Sequence, residues 1–212
     1  MDSFRNHILT PVVLASVDHR FGDCANRVNT GGECSGLKIC VNSGTTYANR
    51  VADIFDEAFI VPRQGGDLVA EGLGTGDCNA IAGGVVDVSL TNVRANGYQG
   101  PYEAGSRRFS KDPLALVTRS DDPQWSDFVF WIVSALFYAE EEGITQSTSN
   151  QMPTTNLFGP LHTKIFRDAV AAVGSYGDIY ARNAEQSVPR SGLNALNAQP
   201  HGPQHYALPG IL

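Results

Sequence analysis

The chain has 212 residues, 42% hydrophobic and 17% charged, with a net charge of -7 at pH 7. That balance fits a packed globular protein of one domain or two small lobes. It excludes a general nucleic-acid or anionic-membrane binder, which needs a basic surface, and no apolar run of about 18 residues exists to span a bilayer.

Met1 to Thr10 lack the charged-then-apolar pattern of a signal peptide. The four cysteines, Cys24, Cys34, Cys40 and Cys78, are compatible with two disulfides or with buried free thiols. Their spacing matches no common zinc pattern, so no metal or cofactor is expected.

Ile8 to Val17 reads as a strand, with Pro11 placing its start at an edge. Residues 18–36 are polar and Gly-rich and read as a loop. Leu37 to Val41 is a short, β-branched apolar run, the mark of a buried strand. Asn42-Ser43-Gly44 is turn chemistry, and Thr45-Thr46 opens a helix whose Tyr47, Val51, Ile54 and Phe55 share one face. A helix start of this kind presents N–H groups and a positive dipole end to an anion.

Ala58 to Val61 reads as a second strand, stopped by Pro62, and Asp67 to Leu73 as a brief helix. Cys78 to Ala82 reads as a third strand, ending in a turn at Gly83-Gly84, with Val85 to Arg94 helical. Alternating strands and helices imply parallel pairing, with ligands favoured at the carboxyl ends of the strands. Asn96 to Asp112 is a loop or hairpin, and Pro113 to Arg119 a strand.

The strongest helix pattern follows. Asp122 caps it, Pro123 takes the first position, and Gly143 ends it after an apolar stripe from Trp125 to Ala139. Glu140, Glu141 and Glu142 read as a solvated acidic end. Ser147 to Gly159 is a polar linker, Leu161 to Val173 and Tyr176 to Asn183 are helices, and Gly192 to Asn197 is a helical turn. The tail after Gln199 is rich in Pro and Gly.

No hydrolase or phosphate-loop motif is present, and His7, His19, His162, His201 and His205 are scattered. Nothing pairs a nucleophile with a base, so an enzyme is not expected.

Six ordered stretches together resemble the periplasmic amino-acid-binding proteins of ABC importers, family 3 of the type II solute-binding proteins. They are Ile39 to Thr46, Gly76 to Asn79, Lys111 to Leu114 with Asp121 to Trp131, Ala139 to Gln146, Gly174 to Asn183, and Arg190 to Leu196. The resemblance implies an α/β fold: a type II periplasmic-binding-protein-like lobe with a mostly parallel sheet flanked by helices. It divides the chain into a divergent strand and loop (1–36), lobe two (37–145) and returning C-terminal helices (146–212), beginning where the family's chain crosses between lobes.

It further implies a disulfide between Cys40 and Cys78, leaving Cys24 and Cys34 for a second, and hence an oxidising periplasmic or extracellular location. It places a ligand carboxylate against Ser43, Thr45 and Thr46. The family's ammonium-binding aspartate falls on Gly84, with Asp87 the nearest carboxylate. The implied partners are a small polar ligand such as an amino acid, a membrane transporter and, for an uncovered surface, a second copy of the chain. The alternative is a ligand-free structural or interaction module on the same fold.

Overall fold

The computed structural model describes residues 8, 9, 12–16, 21, 24, 32–110, 113–198 and 208. The expectations for Pro11, Val17, most of the 18–31 loop, the histidines other than His162, and most of the tail lie outside these residues. Two compact units emerge, 9–114 and 1–8 with 115–212.

The first unit is built on a five-stranded sheet of order β4-β3-β5-β2-β6. Its strands are β2 (Val12–Ser16), β3 (Ile39–Asn42), β4 (Ile60–Arg63), β5 (Ala80–Gly84) and β6 (Glu103–Ala104). β3 runs parallel to both β4 and β5, as the alternating pattern implied, whereas β2 runs antiparallel to β5 and β6. A separate two-stranded pair joins β1 (Ile8–Leu9) to β7 (Pro113–Leu114). The strand expected from Pro113 to Arg119 is therefore only its first two residues.

The two-residue side-chain period of β3 explains why its residues are buried on both faces. Ile39 and Val41 pack with Ala80, Ala82, Val51 and Phe55 on one face. Cys40 and Ile81 pack with Val69, Leu73 and Val93 on the other. Helix α1 (Thr46–Ile54) supplies the first layer; α2 (Gly66–Thr75) and α3 (Leu90–Ala95) supply the second.

Cys40 is bonded to Cys78 across these strands and Cys24 to Cys34 in the preceding loop. Gly72 of α2 lies over the first bridge: a Cβ there would stand 2.5 Å from Cys40 Sγ and 2.9 Å from Cys78 Sγ. Pro62 did not stop its strand. It sits inside β4, the outermost strand, where a missing N–H breaks no ladder.

The second unit is helical. Its α4 (Pro123–Glu141) is capped by Asp122, whose carboxylate accepts from Trp125 N–H at 2.9 Å. Ala135, Leu136 and Ala139 of α4 pack with Met152, Phe166 and Val170 around α5 (Ile165–Val173). Ser175 and Asp178 form a reciprocal capping box at the start of α6 (Tyr176–Asn183). The buried positions of α4 pack with those of the C-terminal helices, within the second unit.

The acidic end of α4 is not simply solvated. Glu140 accepts two hydrogen bonds from Arg190, at 2.7 and 3.1 Å, and the two side chains are 15% and 11% exposed. Arg190 also lies over the rings of Tyr176 and Tyr180. Glu141 turns one carboxylate oxygen inward, with no hydrogen-bond partner among the described residues. A three-residue acidic run does not reveal a basic partner 50 positions away.

Candidate functional site

The site grows from the turn between β3 and α1. Gly44 takes φ 76°, a left-handed conformation open to glycine and strained for other residues. Ser43 N–H donates to Arg63 O at 2.8 Å, and Asn42 Oδ1 accepts from Gly65 N–H at 2.9 Å. These bonds tie the turn to the neighbouring β4–α2 connection. Thr45 is the N-cap of α1: its hydroxyl donates to Asn42 O at 2.7 Å and accepts from Ala48 N–H at 3.2 Å. Its single proton is thereby engaged. What the turn offers an anion is the first backbone N–H groups of α1 and the exposed hydroxyl of Thr46.

The opposing wall is the β5–α3 turn. Gly83 and Gly84, expected to form a bend, instead finish β5, opposite Val13 and Val12 of β2. The antiparallel neighbour supplies their backbone partners, and the bend falls later, where Val88 N–H donates to Gly84 O at 3.0 Å. The helix expected from Val85 shrinks to Leu90–Ala95. Ser89 caps it, accepting from Asn92 N–H at 3.3 Å. The β-branched Val85, Val86 and Val88 ahead of the cap lower helix propensity. Asn92 Nδ2 donates to Asp87 O at 3.1 Å, and Tyr102 donates its hydroxyl to Val88 O at 2.6 Å. Burial raises the Tyr102 hydroxyl above its ordinary pKa, so it stays a donor and keeps this turn fixed.

Between the two walls lies a cavity of about 310 Å³. Its polar lining is Asn42, Thr45, Tyr47, Asp87, Asn92 and Asn96. Of the residues picked from sequence, Thr45 and Asp87 line it directly, while Ser43, Thr46 and Gly84 flank it in the chain. Asn42 and Tyr47 were passed over. Tyr47 was read only as part of the apolar stripe of α1; its ring packs on the core and it also lines the cavity, with its hydroxyl beside Gly84. Asn92 and Asn96 lie four apart on and just after α3, a spacing visible in the sequence but not distinctive. A second, open groove in the other unit spends its Asp178 and Gln146 on capping and carbonyl contacts. No cluster of three metal-ligating side chains occurs among the described residues.

A sheet with a parallel β4-β3-β5 centre between helix layers, with a cavity at the carboxyl ends of those strands and a helix start lining it, matches a type II periplasmic-binding-protein-like lobe. A periplasmic binding protein structure from Brucella ovis with glutathione bound has this fold: TM-score 0.68, 23% identity, covering 90% of this chain and 65% of that one. No family model matches the chain.

By sequence, the chain is a homologue of the amino-acid-binding periplasmic proteins of ABC transporters. It is 32% identical over 194 residues to the general L-amino acid-binding periplasmic protein AapJ of Rhizobium johnstonii, covering 77% of this chain and 55% of that protein. It is 32% identical over 196 residues to the glutamate/glutamine/aspartate/asparagine-binding protein BztA of Rhodobacter capsulatus, covering 81% of this chain and 56% of that protein. The chain thus spans just over half the length of these relatives. They are binding proteins rather than enzymes.

Proposed function

We propose that residues 9–114 carry the ligand of an extracytoplasmic solute-binding protein, and that the ligand is an amino acid or a similarly small polar molecule destined for an ABC membrane transporter. The observation that carries this reading is one cavity lined both by the start of α1 and by Asp87. A helix start and a carboxylate lining one small cavity suit a zwitterion. The ligand carboxylate lies at the start of α1, after Gly44, with Ser43, Thr45 and Thr46 shaping that end. Two disulfides fit a periplasmic or extracellular location. Calorimetric titration with a mixed amino-acid panel, extended to glutathione, tests the reading; no heat with any member counts against it.

A second reading, a ligand-free interaction module, is favoured by large exposed apolar side chains in 115–212: Trp125 is 53% and Leu161 90% exposed. A stable dimer in light scattering, with no heat from the panel, would support it.

A further inference from the structure

We infer that Asn92 and Asn96 read the far end of the ligand's side chain as hydrogen-bond acceptors, so that the chain takes an amino acid ending in a donor, such as a carboxamide, over one ending in a second carboxylate; this rests on the amino-acid-binding reading above. The polarity of the two amides is set by their partners. Asn92 Nδ2 donates to Asp87 O at 3.1 Å, and Asn96 Nδ2 donates to Asn92 O at 2.9 Å. A carbonyl oxygen can only accept, so turning either amide over would set oxygen against oxygen. The ends left over are therefore both oxygens, and neither has a partner among the described residues. Both residues line the cavity and are exposed, so a ligand can reach them.

Asn42 is fixed the opposite way. Its Oδ1 accepts from Gly65 N–H at 2.9 Å, which leaves the Nδ2 donor. It ends β3, just ahead of α1, where the reading above puts the ligand's carboxylate. Donors thus belong to the β3–α1 end of the cavity and acceptors to α3. The charges agree. Among the described residues that line the cavity, Asp87 is the one charged side chain, and no Lys, Arg or His is there. Arg94, on α3 itself, is committed to the following loop: its guanidinium donates to Tyr98 O and to Gly100 O, each at 2.8 Å, and lies over the Tyr98 ring. A dicarboxylic amino acid can place one carboxylate at the helix start, but its second would meet the two amide oxygens without a counter-ion. A carboxamide brings two N–H donors to the same two oxygens.

The test is calorimetry on the whole chain with two matched pairs, L-glutamine with L-glutamate and L-asparagine with L-aspartate, and with L-alanine, whose side chain has no polar end. In at least one pair the amide should bind about 10-fold or more tighter than the acid, the penalty of a polar group left without its partner. Asn96→Lys puts a cation among the acceptors and should shrink or reverse that ratio by about 10-fold. Asn96→Ala, the milder change, should lower it by roughly 2- to 10-fold. Alanine titrated into the same variants separates a change in side-chain reading from general damage to the cavity: the amide's loss should exceed alanine's. Wild type that gives no heat with any amino acid sinks the amino-acid reading and this inference with it. Wild type that binds an amino acid, but holds both acids at least within about twofold of their amides, overturns this inference alone. So does an amide-to-acid ratio that Asn96→Lys leaves unchanged, or a loss that alanine shares in full.

Discussion

Two glycines two positions apart in α2 should respond to alanine in opposite directions. Gly72 and Gly74 both lie in the helix Gly66–Thr75, where alanine is ordinarily worth about 1 kcal/mol over glycine. Around Gly74 nothing lies within 4 Å of a new Cβ, so Gly74→Ala should gain close to that amount. At Gly72 the same methyl meets Cys40 Sγ at 2.5 Å and Cys78 Sγ at 2.9 Å. A bonded pair of sulfurs cannot swing aside as a free side-chain end can. Overpacking of this kind costs about 1–3 kcal/mol, so after the helix gain Gly72→Ala should lose up to about 2 kcal/mol. Thermal melting reads the difference, at roughly 2–4 °C per kcal/mol for a chain of this size. Repeating Gly72→Ala in a Cys40→Ala/Cys78→Ala background should remove the loss, because the obstruction is gone. If Gly72→Ala raises the melting temperature as Gly74→Ala does, helix and bridge are not packed as described.

Arg190→Met or Glu140→Gln alone should each destabilise by about 3 kcal/mol in chemical denaturation, since either leaves a mostly buried charge without its partner; the double variant should lose less than their sum. Removing the Cys40–Cys78 bridge, 38 residues apart, should lower stability by about 4 kcal/mol, and the Cys24–Cys34 bridge, 10 apart, by about 3. The hydrogen bonds from Arg63, then Thr75, hold the Asp77 carboxyl below its usual 3.8. A depressed folded value means the contribution is present above the unfolded pKa and is lost as pH falls through the folded one. Carbon-13 titration of Asp77 should therefore show a midpoint below 3.8, and Arg63→Gln should move it up.

What could be read from the sequence was what depends on near neighbours. The apolar run at Leu37 to Val41, the Thr45-Thr46 helix opening after Gly44, the Asp122-Pro123 helix start and the break between the helices ending at Val173 and starting at Tyr176 each lie within one turn of the groups they organise. What could not be read depends on partners remote in the chain. Gly83-Gly84 looked like a bend because glycine pairs are usually turns; the antiparallel β2, some 70 positions earlier, keeps them in the sheet. Glu140 looked solvated because Arg190 lies 50 positions on. Tyr47 fitted the apolar stripe so well that its hydroxyl went unnoticed. In the cavity, Thr45 and Asp87 came from the resemblance, while Asn42, Asn92 and Asn96 are amides that no local pattern distinguishes from surface residues.

Pro62 on the sheet's outer strand has a consequence for the chain's company rather than for its ligand. An outermost strand is a template on which a stray polypeptide can nucleate fibrils. With an imide nitrogen in the middle of four residues and a cation in the next, Arg63, that template has a gap in its donor row and a charge beside it. Pro62→Val would complete the row, and the variant should precipitate faster at high concentration even if it folds as well.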